Sequence, residues 1–579
     1  MCWKKAPSLT FLLLLMLLMS GSSFSKDELK LLHAEEHDRF PCIGCVAVVS
    51  IIEQFSQVHN STVKAALEKL CTYLPVYGFP GTFHLQGICF LLVELYGPKI
   101  IKLIETKMNA DVICHSIQIC KKRAGQPYCH LYSPPKEGFS MAIKKLERMF
   151  AAGSQKYSYE LSFVCTLPFM RNLCQRIEFS LKNKLPFIDL DGDNFSTYPN
   201  LRGYYWRGQD CDDMNAAVYP GRRPEAWDVK EDSNCNGISG VDSKDGIPYE
   251  QKFCNGTGSR GIIMLGDSAG ALAHLPPEWI TASQISPKTY SNFLDVISNE
   301  LDWPQFSTVT GFLNSTIGGW TESLYLILHR RNRCNHRDYQ NISKNGASSR
   351  NVLHLVQSLA RKQYSDKPAI VIFAMIGNDV CNGHPDTLKK MTQPKEMHSN
   401  VVKTLLYLDS HLPKGSHVVL IGLVAGSFIW DTMHSRYHPL GQLNKDVTYE
   451  QFYSFLSCLQ INLCNGWLNS NGTLRNLTTE RAMQLSNVLK EIAKSEKYAN
   501  FDIFYMDFPL KEIIVMWQNM GGEIWQLLEP MDGFHPNQIA SALEARILWK
   551  KLLQERPDIL GKENPFNSEI AAIFHGQGH

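Results

Sequence analysis

Three short segments carry the residues with chemistry. RGIIMLGDSAG runs from the apolar Ile262, Ile263, Met264 and Leu265 into a Gly-rich turn at Ser268; AIVIFAMIGND ends on Gly377, Asn378 and Asp379; MDGFHPN supplies Asp532 and His535. A serine at the C-terminal end of a strand, opening a helix, presents its hydroxyl in the crevice of a parallel sheet. Asp532 and His535 are spaced to meet within one turn, and Pro536 fixes the chain as it leaves them. Hydroxyl, imidazole and carboxylate together are the groups of nucleophilic acyl transfer.

Together the three segments resemble the GDSL or SGNH esterase family. The resemblance implies a three-layer α/β/α sandwich over a parallel sheet, with Ser268 as nucleophile, His535 as general base and Asp532 orienting the imidazole. It also implies an oxyanion hole built from the Ser268 backbone N–H, the Asn378 side-chain amide and a glycine N–H, for which Gly346 in NISKNGASSRN is the choice. GDSAG equally satisfies the GxSxG elbow of α/β-hydrolases. That fold needs several strands ahead of its elbow, where this chain has acidic loops, so the elbow reading loses. His434 and His438 in WDTMHSRYHPLG are expected to be structural or surface groups, and Cys381 a disulfide member.

Ahead of the serine lies a concentration of hard oxygen ligands. DLDGDNF places Asp189, Asp191 and Asp193 at alternate positions; DCDDMN adds Asp210, Asp212, Asp213 and Asn215; DVKEDSNCNGISGVD adds Asp228, Asp232, Asn234 and Asn236. Alternate carboxylates around a turn suit the six-to-eight-fold oxygen shell of calcium, and Gly192 and Gly237 permit tight bends. Phe195, Val218 and Ile238 are candidates for backbone carbonyl ligands and Glu250 for a distal carboxylate. No EF-hand frame is present, and the runs look more like the loop-only calcium repeats of thrombospondin-type cages. Cys211 and Cys235 within the loops fit a structural Ca2+ site in which metal and disulfides replace a hydrophobic core.

The elements further upstream are helical. Val46, Val49, Ile52 and Phe55 recur at three-residue steps, Val63, Ala66 and Leu70 repeat the pattern, and Leu91, Leu92, Leu95, Ile100, Ile101 and Ile104 form a third stripe. Cys42, Cys45, Cys71, Cys89, Cys114 and Cys120 frame them in an order that resembles the saposin B family. That resemblance implies nested pairing, Cys42 with Cys120, Cys45 with Cys114 and Cys71 with Cys89, around a leaf of helices whose apolar faces engage lipid or a membrane or micelle surface.

Composition sets the frame. The chain has 579 residues, is 44% hydrophobic and 20% charged, and carries a net charge of +2, which excludes disorder and any global basic field for nucleic acid. Lys4 and Lys5, the apolar run Phe11 to Met19 and the small polar stretch Ser20 to Ser25 read as a signal peptide over 1–25, directing the chain to the secretory pathway, secreted or lysosomal. The run is too short to span a bilayer, and no later stretch is expected to. With Cys2 removed from the 17 cysteines, an even number enters an oxidising compartment. Asn60, Asn194, Asn255, Asn314, Asn341, Asn471 and Asn476 stand in glycosylation sequons.

The expected organisation is a propeptide at 26–37, the saposin-like module at 38–125, a polar linker with a subunit cleavage site at 126–160, a cysteine-containing segment with calcium loops at 161–255, and the esterase domain at 256–579. If the linker is cut, Cys129 needs a bridge to the C-terminal part; Cys458 or Cys464 can supply it, and Cys458 is the choice. The module order, with the stretches PGRRPEAWDV, NELDWPQ and CNHRDYQNIS, is similar to that of a family of esterases that remove secondary fatty acyl chains from the lipid A of bacterial lipopolysaccharide, detoxifying it. That similarity implies a propeptide and small and large subunits joined by a disulfide. A broader phospholipase or lysophospholipase, and a non-catalytic lipid-binding or transfer protein, are the alternatives.

Overall fold

The computed structural model describes residues 39–76, 84–123, 125–150 and 168–578; the signal and propeptide expectations and part of the cleavage stretch lie outside them. The N-terminal module begins with α1 (Phe40–Val58), α2 (Val63–Tyr73), α3 (Leu85–Ile104) and α4 (Ala110–Ser116). Side-chain oxygens set two of the helix starts: Thr62 accepts from the Ala65 N–H and Asn109 from the Val112 N–H, satisfying donors that a first turn leaves open. The bridges Cys42–Cys120, Cys45–Cys114 and Cys71–Cys89 form in the nested order expected.

Residues 126–150 are not a free linker. In α5 (Phe139–Phe150), Ala142, Ile143 and Leu146 are buried in the core that contains Val46, Val49 and Ile113. The buried Asp111 carboxylate accepts from the Leu131 N–H at 2.9 Å and the Tyr132 N–H at 2.7 Å, fastening the incoming strand of chain. Pro134-Pro135 and Lys144-Lys145 concealed this short stripe in the sequence. At 19 residues α1 is also long and apolar enough to cross a membrane, contrary to expectation. Its buried face and its two disulfides make it a core helix of the module.

The sheet has five parallel strands: β1 (Gly261–Gly266), β2 (Tyr339–Asn341), β3 (Ala369–Ala374), β4 (Ser416–Ile421) and β5 (Phe501–Met506), in the order β2-β1-β3-β4-β5. Strands covered on both faces must be apolar throughout, and β1 and β3 are buried at every position. Alternation divides them. Ile263, Leu265, Val371, Phe373, Val418 and Leu420 share one core with α8 (Pro394–His411) and α10 (Gly472–Ser495), whereas Ile262, Met264, Ile370, Ile372 and Val419 share the other with α7 (Leu324–Arg331) and α12 (Gln538–Glu555). This is the expected α/β/α sandwich. Two further helices frame its ligand end: α6 (Ser268–Ala271) directly after β1, and α11 (Leu510–Asn519) after β5; α9 (Tyr449–Cys458) braces the region from the side.

The N-terminal module is docked on this domain. Phe55 and Ala66 pack with Ala282 and Ile285, the Gln54 amide donates to the Leu440 carbonyl at 2.6 Å, and Cys129 is bonded to Cys458 at the end of α9, as chosen from the sequence.

Candidate active site

β1 ends at Gly266, Asp267 caps α6, and Ser268 opens that helix. The glycines are steric requirements: a Cβ on Gly270 would lie 2.3 Å from the Met264 methyl carbon and 2.8 Å from the Ser343 hydroxyl. Asp267 was missed from the sequence. One carboxylate oxygen accepts from the Ala269 N–H at 3.0 Å, and the other from the Ile376 and Gly377 N–H groups at 2.9 and 3.3 Å. It thereby ties the serine turn to the loop leaving β3. Only its place as a helix N-cap, directly before the serine, signalled this role.

His535 Nε2 lies 2.8 Å from Ser268 Oγ, and its Nδ1 lies 2.6 Å from Asp532 Oδ2. The other Asp532 oxygen accepts from the Phe534 and His535 N–H groups at 2.8 and 3.0 Å, closing the turn that the i, i+3 spacing allowed. Burial works against charge on both groups, but mutual attraction outweighs it. Asp532 is held below the ordinary carboxylate range, and His535 is raised above the ordinary imidazole value by Asp532 first, with Asp267 and Glu529 adding to it. This is the arrangement of a serine with its general base and an orienting carboxylate.

The triad opens into an apolar cavity lined by Ile376, Phe428, Phe508, Ile513 and Leu527, with Gly377 and Asn378 beside Ser268. Asn378 thus lines the same cavity as Ser268 and His535. Gly346 does not line this cavity. It sits at φ +73° in an exposed turn after β2, and the Lys344 N–H donates to the Gly266 carbonyl at 3.2 Å, setting the turn against the end of β1. Asp379 joins the two loops: it accepts from the Ser349 hydroxyl at 2.6 Å and the Thr392 hydroxyl at 2.7 Å.

Comparison with known proteins agrees with both halves. Residues 41–175 match the model of the saposin-like domain and residues 262–546 that of the GDSL-like lipase/acylhydrolase family. The chain is 54% identical over 577 residues to acyloxyacyl hydrolase of Homo sapiens, spanning 100% of this chain and 99% of that protein. It is 56% identical over 538 residues to acyloxyacyl hydrolase of Mus musculus, spanning 93% of each. The chain belongs to the acyloxyacyl hydrolase family. It is thus a carboxylic-ester hydrolase with a lipid substrate, built from a saposin-like module and a GDSL-type domain.

Other expected sites divide within this member of the acyloxyacyl hydrolase family. Oxygens of Asp189, Asp191 and Asp213 converge, as do those of Asp191, Asp193 and Asp210. One oxygen each of Asp191, Asp193, Asp210 and Asp213 is buried without a hydrogen-bond donor among the described residues. Burial first, then the neighbouring carboxylates, pushes Asp193 up to about 8; Asp210 is raised to about 7, with backbone N–H groups only partly offsetting its burial. Such a nest of unsatisfied carboxylates fits a hard dication. Asp212 lies on the exposed rim, and the Asn215 side chain is turned to the Ala217 N–H. The second set is gathered by internal hydrogen bonds: Ser233 and Asn234 lie against Asp228, and Asn234 and Asn236 against Glu250, while Asp232 accepts from the Asn236 and Gly237 N–H groups. Phe195, Val218 and Ile238 have buried hydrocarbon side chains, which carry no ligand atom, so that only their backbone carbonyls could serve.

Cys211–Cys235, Cys254–Cys334 and Cys381–Cys464 complete the described bridges, so Cys381 is a disulfide member, as expected. Asn60, Asn255, Asn314, Asn471 and Asn476 are exposed, and Asn194 is half-buried. Asn341 is a correction. It is 1% exposed in β2, and its amide donates to the Gly270 carbonyl at 2.8 Å and the Thr310 hydroxyl at 3.0 Å, so it is no glycan acceptor.

Proposed function

We propose that this protein removes secondary fatty acyl chains, ester-linked to the hydroxyls of primary acyl chains, from the lipid A of bacterial lipopolysaccharide. The observation that carries this reading is the assembled triad at the mouth of an apolar cavity, in a chain whose saposin-like module is fixed to the same domain. His535 Nε2 takes the Ser268 proton as Oγ attacks the secondary ester, and Asp532 stabilises the imidazolium that forms. The tetrahedral oxyanion is held by the Ser268 N–H and Asn378, both at the cavity that Gly346 does not line. His535 returns the proton to the departing hydroxyl, and water releases the fatty acid from the acyl-enzyme.

Asp189, Asp191, Asp193, Asp210 and Asp213 would hold Ca2+, which supplies the countercharge this nest lacks and stiffens the loops. We place the chain in the secretory pathway, secreted or lysosomal, where its disulfides persist, and read the cleaved form as two subunits held by Cys129–Cys458.

The test is acyl release from lipid A beside glycerophospholipids, with Ser268→Ala as control. Release of secondary acyl chains from lipid A, lost in the variant, supports the reading. Release from glycerophospholipids alone replaces it with a phospholipase, and lipid clearance undiminished in Ser268→Ala replaces it with a binding protein.

A further inference from the structure

The loop that carries the catalytic acid is suspended from the part of the hydrolase domain to which the saposin-like module is fixed. Three of its carbonyls accept hydrogen bonds: Pro530 from the Tyr449 hydroxyl at 2.5 Å, Met531 from His438 Nε2 at 2.8 Å, and Gly533 from the Tyr453 hydroxyl at 2.9 Å. Asp532 lies between them. Tyr449 and Tyr453 both belong to α9, whose last residue is Cys458, bonded to Cys129. His438 is fully buried and stacks on Phe452 of the same helix.

His438 leads back to the module by a second route. Its Nδ1 accepts from the Leu440 N–H at 3.2 Å, which requires the proton on Nε2 and makes the ring a one-way strut toward the Met531 carbonyl. The Leu440 carbonyl accepts in turn from Gln54 of α1, at 2.6 Å and buried. Burial pushes the His438 imidazole down to about 4, so it stays neutral, with one donor and one acceptor, through the physiological range.

We infer that His438 and Gln54 are positioning residues for catalysis: docking of the saposin-like module holds the Pro530–Gly533 loop, and hence Asp532, in the geometry that orients His535. The module then has a part in the chemistry itself, apart from its hold on lipid, and turnover of an ester that needs no lipid-binding surface depends on it. This rests on the serine-esterase reading of the site.

The experiment uses the disulfide-linked protein and a water-soluble short-chain p-nitrophenyl ester, with active sites counted by an organophosphonate. If the wild type does not turn the ester over, the esterase reading fails, not this inference alone. Given wild-type turnover, His438→Ala is expected to lower kcat at least tenfold with KM within about twofold. His438→Gln, which restores an N–H toward Met531, is expected to recover most of the loss. Gln54→Ala, which touches nothing in the triad, is expected to lower kcat several-fold, and the double variant Gln54→Ala/His438→Ala to be no worse than His438→Ala. Wild-type kcat in Gln54→Ala, or multiplicative losses in the double variant, overturns the inference. If His438→Ala is not secreted, His438→Gln and Gln54→Ala carry the test: near-wild-type kcat in the first with a several-fold loss in the second supports it, and wild-type kcat in Gln54→Ala overturns it.

Discussion

His535 Nε2 stands 2.8 Å from the Ser268 hydroxyl, although 267 positions of chain separate the two residues. The sandwich makes the meeting possible, since the serine turn and the acid-histidine turn both sit at the end of the sheet where parallel strands deliver their C-termini. Asp532, 2.6 Å from the other ring nitrogen, fixes which nitrogen is free to accept the serine proton.

Asp532→Asn should therefore lower kcat by about 10³- to 10⁴-fold while leaving KM for a soluble ester little changed, because the amide favours the wrong imidazole tautomer without moving the cavity walls. Steady-state kinetics on titrated active sites measures both quantities.

Removal of the proposed Ca2+ by a chelator should be accompanied by proton uptake at the acidic nest. At pH 7 an unliganded site binds protons on Asp193 and Asp210, raised to about 8 and about 7, whereas bound Ca2+ keeps both ionised. Both folded-state values lie above the unfolded value, so the unliganded native state binds more protons than the unfolded chain across that window, and its stability falls as pH rises toward 8. The chelated protein should melt higher at pH 5.5 than at pH 8, and calcium should restore more stability at pH 8. An indicator dye reads the proton uptake, and melting curves read the stability.

Cleavage of the chain between 151 and 159 should leave two pieces that migrate together on a non-reducing denaturing gel, because Cys129 is bonded to Cys458. In Cys129→Ser the same cleavage should give two separate bands. The cut protein should still elute as one species from a native column, held by Phe55 against Ala282 and Ile285.

Glycopeptide mapping should find no glycan on Asn341, whichever of the exposed sequons are occupied. Asn341→Ala should cost about 1–3 kcal/mol in denaturant unfolding, since it leaves the buried Gly270 carbonyl without its donor. Asn476→Ala, on the exposed face of α10, should be near neutral.

Local chemistry was legible wherever a few adjacent residues define it. Strand, turn and serine lie together in RGIIMLGDSAG, Asp532 and His535 lie within one turn, and the saposin-like cysteine frame announces its own pairing through its order. Asn341 shows the opposite case. Its sequon is a three-residue pattern, but whether the amide meets solvent depends on its place in β2, beside β1 and beneath Thr310. Likewise Pro-Pro and Lys-Lys pairs made residues 126–150 look like a linker, and only the packing of Ala142, Ile143 and Leu146 against the module places them in its core.

By itself, then, the sequence determined the reacting groups, the two modules and the acidic nest, because hydrophobic period, cysteine order and short-range spacing are properties of neighbouring residues. Tertiary structure decided which distant groups share a buried environment. It put Asp267 between the serine turn and β3, left Gly346 in an exposed turn outside the cavity, and gave His438, expected to be a structural or surface group, its particular place as a buried strut between Leu440 and Met531. Those roles depend on donors and acceptors that are remote in sequence and become neighbours only when the chain excludes water around them.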